Sequence, residues 1–175
     1  MGVSSWRQRT NNSIPPAVKA TASYMNSILA KLEAKEHGYV EAIMLNEAGL
    51  VCEGTGENLF VVRDGILSTP PLSDGLLEGI TRDTVLCLAD DLEIPAIEES
   101  LTRSDLYIAD EVLSLIHILL RLPRLRRLST RRHSISTTAS AIRMLLTTML
   151  PPCISCWAGG RPAWRAMARR LTAPR

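Results

Sequence analysis

Aromatic side chains are scarce in this chain of 175 residues, with three Trp, three Tyr and one Phe. So few rings leave no stacking surface of the kind that single-stranded nucleic acid uses. Cysteine is scarce too: Cys52, Cys87, Cys153 and Cys156 do not make a disulfide framework in a chain of this length. No secretory n-region and h-region pattern opens the sequence, so a reducing, cytoplasmic setting is expected. Cys153 and Cys156 have redox or zinc spacing, but no second pair or paired His follows them, and no metal site is expected. Long apolar runs are missing as well. Val112 to Leu120 is a run of nine, too short to cross a bilayer, so no membrane partner is expected.

Acidic residues and lysine are absent altogether after Glu111. Residues 1–111 hold all eighteen acids against eight Lys and Arg, a net charge of −10, whereas the last 64 residues carry twelve Arg, a net +12. A single domain rarely divides its charge so sharply. The expected division is therefore residues 1–112 as a folded domain and residues 113–175 as an Arg-rich tail. With 46% hydrophobic and 22% charged residues, the chain is globular in class and long enough to bury a core.

The first two thirds read as alternating elements. Gly2 to Arg7 is a short strand entering a polar loop at Thr10 to Ser13. From Lys19 to His37, Tyr24, Met25, Ile28, Leu29 and Leu32 recur at three- and four-residue steps and predict an amphipathic helix, stopped by Gly38. Ala42–Leu45 and Leu50–Glu53, joined by a turn at Asn46–Gly49, predict a hairpin. A second is expected from Asn58–Arg63 and Ile66–Thr69 around Asp64-Gly65, a dipeptide suited to a type I′ turn. Pro70 to Gly79 is a loop, Ile80 to Leu92 a helix, Ile94 to Ile97 a strand. Thr102-Arg103-Ser104-Asp105 is a capping-box variant opening a short helix. Together these predict a mixed α+β domain.

Three stretches carry candidate chemistry. Lys19 follows Pro15-Pro16 at the expected mouth of a helix, where the positive dipole end and neighbouring bulk depress an amine's pKa and leave it nucleophilic. A solvated surface lysine is the plainer alternative. Glu53 lies in the Gly-flanked run Glu53-Gly54-Thr55-Gly56-Glu57-Asn58-Leu59-Phe60, where the backbone can approach a flat ligand. A solvated hairpin carboxylate is the alternative there, and Glu57 reads as the surface acid. Gly79, Ile80 and Thr81 offer main-chain N–H groups and a hydroxyl at a helix start, a place for a phosphate, although Thr81 could be a simple N-cap. An amine, an acid and an anion cradle are the parts that hold an aldehyde cofactor with a basic ring nitrogen.

The run from Lys19 to Ser27, the Glu53 to Phe60 run, and Thr69-Pro70-Pro71-Leu72-Ser73-Asp74-Gly75-Leu76-Leu77-Glu78-Gly79-Ile80-Thr81-Arg82-Asp83 resemble the branched-chain amino acid aminotransferases. These are pyridoxal-phosphate enzymes of fold type IV (D-amino acid aminotransferase-like), and the resemblance runs from Gly2 to Val112. It implies that Lys19 holds pyridoxal 5′-phosphate as an imine and later moves a proton at the substrate α-carbon. Tyr24 would meet the cofactor's 3-oxygen, though core packing also accounts for that ring. Glu53, 34 residues after Lys19, would face the pyridine nitrogen, and Gly79, Ile80 and Thr81 the phosphate. Glu78 stands where the family often has Pro, an unfavourable charge beside a phosphate.

The implied reaction is transamination of Leu, Ile and Val with 2-oxoglutarate, in an oligomer of at least two copies. D-amino acid aminotransferase and aminodeoxychorismate lyase share the Lys, Glu and Ile-Thr arrangement. A different class of reading is a non-catalytic protein whose basic tail engages nucleic acid, although no nucleic-acid partner is the expectation. The resemblance also implies a smaller N-terminal domain before Gly2 and a Gly-Thr-Ala-Ala-Glu motif after Val112. Leu113-Ser114-Leu115-Ile116-His117 stands there instead, so the tail reads as frameshifted or joined foreign sequence without a packed core, and the chain as an inactive fragment.

Overall fold

In the computed structural model, the structure describes residues 1–115. The elements run β1 (Gly2–Arg7), α1 (Ser23–Glu36), β2 (Ala42–Leu45), β3 (Val51–Gly54), β4 (Leu59–Arg63) and β5 (Ile66–Thr69). A single 3₁₀ turn (Leu72–Asp74), α2 (Ile80–Asp91), β6 (Ala96–Glu98), α3 (Arg103–Ile108) and β7 (Glu111–Ser114) follow. The expected α+β class is what forms. β7 continues through Leu113 and Ser114, the first residues assigned to the tail; the expectations for the tail beyond Leu115, Cys153 and Cys156 included, lie outside the described residues.

Two sheets make up the fold, one with order β1-β2-β3 and one with order β6-β5-β4-β7. Each contains one parallel pair, β1 with β2 and β5 with β6. A parallel pair cannot be closed by a tight turn, and α1 and α2 supply the crossovers. The two hairpins form as expected, and Asp64 and Gly65 both take positive φ, 51° and 83°, as a type I′ turn demands. The capping box at Thr102 is present, with Asp105 Oδ2 accepting from Thr102 N at 2.8 Å.

β4 is the centre of gravity. Its unbroken apolar run alternates between two cores: Leu59 and Val61 join Ile43, Leu45, Val51, Leu101, Leu106 and Val112, while Phe60 and Val62 join Leu67, Val85, Ala89 and Leu113. A strand covered on both faces needs apolar residues at consecutive positions, and Leu59-Phe60-Val61-Val62 provides them.

Helix α1 departs from the expectation in two respects. It starts at Ser23, not at Lys19. Val18, Ser23 and Tyr24 donate their N–H groups three residues back, to Pro15, Ala20 and Thr21, so the chain makes successive turns before the helix begins. The face buried is also not the one with the large apolar residues. Tyr24 (49%), Met25 (64%), Ile28 and Leu32 are exposed, and the helix buries Ala30 and Ala34 against Ala42 and Met44. The physical reason is close approach: small side chains let α1 lie down on the sheet, and polar partners hold it there. Glu33 accepts from the Ser4 hydroxyl and from Ser5 N at 3.0 Å, and Asn26 Nδ2 donates to Arg7 O at 2.8 Å.

Glu41, only 1% exposed, fixes this packing. Its carboxylate accepts from Lys31 Nζ at 2.8 Å on α1, from the Thr55 hydroxyl in the turn after β3, and from Ala42 N at 2.9 Å. Burial by itself would raise its pKa, but these donors outweigh burial and hold it below the ordinary carboxylate value. A depressed pKa stabilises the fold above the unfolded-state value, and that stabilisation is lost as pH falls through the folded one. Glu41→Gln is expected to lower the urea unfolding free energy by about 1.5–3 kcal/mol at pH 7, the worth of a hydrogen-bonded charge. The gap to the parent should close as both are titrated toward acid.

Candidate active site

The centre of the site is Glu53 at the end of β3. Gln8 Nε2 donates to its Oε1 at 2.7 Å; Asn58 Nδ2 and Leu77 N both donate to its Oε2 at 3.2 Å. Three separate stretches thus converge on one carboxylate: the residue after β1, the start of β4, and the loop before α2. Half-buried Glu53 is not a solvated hairpin acid. Burial drives its pKa up to about 7, against the pull of Leu77 N–H, Gln8 and the Arg9 charge.

Asn58 carries the arrangement from the acid to the helix entrance. Its Nδ2 also donates to Leu77 O at 2.9 Å, and its Oδ1 occupies the space that a Cβ at position 79 would need, so only glycine fits there. Gly79 precedes α2 in extended conformation, and no side chain caps the helix. The first N–H groups of α2 therefore have no side-chain cap, as a candidate anion site requires, and half-buried Thr81 lies in the first turn. Ile80 is 65% exposed, so only its main chain can serve such a site.

Lys19 stands apart from this cluster. It is exposed in the turns before α1, and among the described residues no hydrogen bond or ion pair joins it, or Tyr24, to Glu53 or Gly79. What brings its loop close is the preceding segment. Pro16 is buried with its Cγ 3.6 Å from where a Gly75 Cβ would stand, next to the loop that donates Leu77 N to Glu53. Arg9 Nη1 donates to Ile14 O at 3.0 Å, tying the same segment to the residue beside Gln8. Tyr24, half exposed in the first turn of α1, is not a core residue, which removes the packing alternative for its ring.

One further correction concerns an acid. Glu57, expected at the surface, is buried at 7%: its Cγ lies against Gly54 and its carboxylate accepts from the Ser114 hydroxyl on β7. The turn folds inward because Gly54 N closes back on Glu57 O at 2.7 Å. Glu78 is exposed. Cys52, beside Glu53, is an inert thiol, pushed up to about 12 by burial and by the carboxylates of Glu53 and Asp74. Among the described residues no group of three His, Cys, Asp or Glu could hold a metal ion.

The family described as Amino-transferase class IV matches residues 1–115. The branched-chain-amino-acid aminotransferase of Escherichia coli is 50% identical over 110 residues, covering 63% of this chain and 36% of that protein. Among solved structures, the branched-chain aminotransferase of Thermoproteus uzoniensis with norvaline superposes with a TM-score of 0.70 at 45% identity, covering 83% of this chain and 50% of that one. The branched-chain amino acid aminotransferase of Thermobaculum terrenum in its PLP form gives 0.71 at 36% identity, covering 83% and 48%. The chain belongs to the class IV aminotransferases, with the α+β fold of the fold type IV enzymes. It spans about a third of the length of the curated relatives it matches.

A raised carboxylate pKa carries a stability cost. Folding favours the protonated form of Glu53, so its contribution is fully present below the unfolded value of 4.5 and is lost as pH rises through about 7. Urea unfolding of the cofactor-free protein should show stability declining across that window by up to about 3 kcal/mol. Glu53→Gln is expected to remove most of the decline.

Proposed function

We propose that the chain carries the lysine, acid and phosphate-anchoring residues of a pyridoxal-phosphate-dependent branched-chain amino acid aminotransferase. The whole protein moves the amino group of Leu, Ile or Val to 2-oxoglutarate. The observation that carries this reading is the Glu53 cluster: a half-buried carboxylate held by uncharged amides and a backbone N–H, wired through Asn58 to an uncapped helix N-terminus.

The residues fit the group. A pyridine nitrogen that must stay protonated needs a carboxylate with acceptor capacity to spare, and one donor on Glu53 Oε1 leaves a lone pair there. A phosphate needs N–H groups without a side-chain cap, which the start of α2 offers beside Gly79. When bound, pyridoxal 5′-phosphate supplies an electron sink for the substrate's α-carbon.

The chain's own residues do the rest. Glu53 would hold a proton on the ring nitrogen, and that positive charge would in turn draw the carboxylate's own pKa down from about 7. Main-chain N–H groups of Gly79 and Ile80, with the Thr81 hydroxyl, would hold the phosphate, and Tyr24, in the first turn of α1, would meet the 3-oxygen. Lys19 Nζ is the covalent anchor and the base that takes the proton from the substrate α-carbon. Its position in a turn rather than inside a helix leaves the side chain room to swing between those two duties. Glu78, exposed, does not need to face the phosphate.

The apolar stripe of Tyr24, Met25, Ile28 and Leu32 supports assembly as a homo-oligomer, since an isolated subunit would leave it in water. Among the described residues no helix is long and apolar enough to cross a membrane, and the proposed setting is cytoplasmic. Residues 1–112 hold every group invoked, and the Arg-rich tail holds none.

Adding pyridoxal phosphate should give a visible absorbance band, and borohydride treatment should leave a cofactor-sized mass increment on the Lys19 peptide. Lys19→Ala is expected to abolish both; a band that survives it removes the assignment. On a full-length relative carrying this segment, Leu, Ile and Val should be amino donors at rates at least tenfold above D-alanine. The reverse order would favour a D-amino acid aminotransferase.

A further inference from the structure

We propose that the amides of Gln8 and Asn58 are positioning residues that orient the Glu53 carboxylate without neutralising it, leaving the site in need of a cationic ligand. This inference rests on the function proposed above.

Neither amide is free to turn over. Gln8 is 4% exposed; its backbone N donates to Leu45 O at 2.8 Å, and its Oε1 accepts from Arg9 N at 3.2 Å, so its Nε2 must face Glu53. Asn58, also buried, points Nδ2 at Leu77 O, which can only accept, so the same group faces Glu53 while Oδ1 lies over Gly79. The two amides therefore present donors to opposite oxygens of one carboxylate. Through their other bonds they fix it to the residues ahead of the lysine loop and to the entrance of α2.

An Arg or Lys in the place of Gln8 would hold the carboxylate equally well but would supply the countercharge itself. A neutral donor orients the carboxylate without pairing it with a cation. Arg9 pulls the Glu53 pKa down by its charge at a distance, but its Nη1 donates to Ile14 O, and among the described residues no ion pair joins it to the carboxylate. Of the titratable groups beside Glu53, Cys52 on the same strand and Glu57 against Gly54, neither is cationic.

The test is a carbon-13 NMR titration of Glu53 in the cofactor-free chain, its signal assigned by its loss in Glu53→Gln. Gln8→Leu and Gln8→Met remove the donor and should raise the Glu53 midpoint by about half to one pH unit, the worth of one hydrogen bond. Gln8→Arg restores a donor, adds charge, and should lower the midpoint below the parent's while weakening pyridoxal phosphate binding severalfold. Should one donorless variant fail to fold, the other gives the reading. A packing role alone would move the urea midpoint and leave the Glu53 titration unmoved, or shift it the same way in Arg and Leu variants; either result overturns the proposal. If the opposite shifts appear but the parent takes up no pyridoxal phosphate, the positioning role stands and the proposed function falls.

Discussion

A carboxylate taken partly out of water must be surrounded by donors, and the arrangement around Glu53 follows from that constraint. Three N–H groups reach its two oxygens from the end of β1, the start of β4 and the loop before α2. Each of those positions lies in a different part of the chain, so the two sheets must be set at fixed places for the acid to be satisfied. The cost of burial is not fully recovered, as the pKa near 7 records. That residual cost is what a functional site keeps in hand: a ligand bringing positive charge to this place recovers part of it.

The same economy shapes the surroundings. Gly79 is required not by a turn but by the Asn58 side chain lying where its Cβ would go. Glu41 performs for α1 what Glu53 performs for the site, with the difference that its partner Lys31 is a true countercharge and its pKa is depressed rather than raised. Of these two acids, one is neutralised within the fold and the other has no paired cation, and the role proposed for Glu53 rests on that contrast. Charge alone does not mark such a role: Glu57 is buried as well, and it serves packing between β4 and β7.

Helix α1 shows how a correct period can mislead. Its large apolar residues do recur at helical spacing, yet the sheet side of the helix is Ala30 and Ala34, with Asn26, Lys31 and Glu33 making the polar contacts. The apolar stripe reads like a core face in the sequence, yet this subunit leaves it exposed. The sequence likewise places Lys19 at the start of the helix, because nothing in the local pattern marks the run of turns that separates it from Ser23.

Local rules decided much of this protein from the chain alone. The places of β1 to β5, the type I′ turn at Asp64-Gly65 and the capping box at Thr102 depend on neighbours a few residues apart, as does the start of α2 after Gly79, and all were legible there; β7 was not, because only pairing with β4 makes its short apolar run a strand. The Lys19, Glu53 and Gly79–Thr81 stretches, each a weak signal alone, were legible as candidates because together they resemble the motifs of the branched-chain amino acid aminotransferases. Only the tertiary structure decided that Gln8, 45 residues from Glu53, is its partner, that Asn58 joins acid to helix entrance, and that Glu57 turns inward. A hydrogen bond across such a distance leaves no periodicity in the sequence. It exists only once the sheets have placed the two groups within reach.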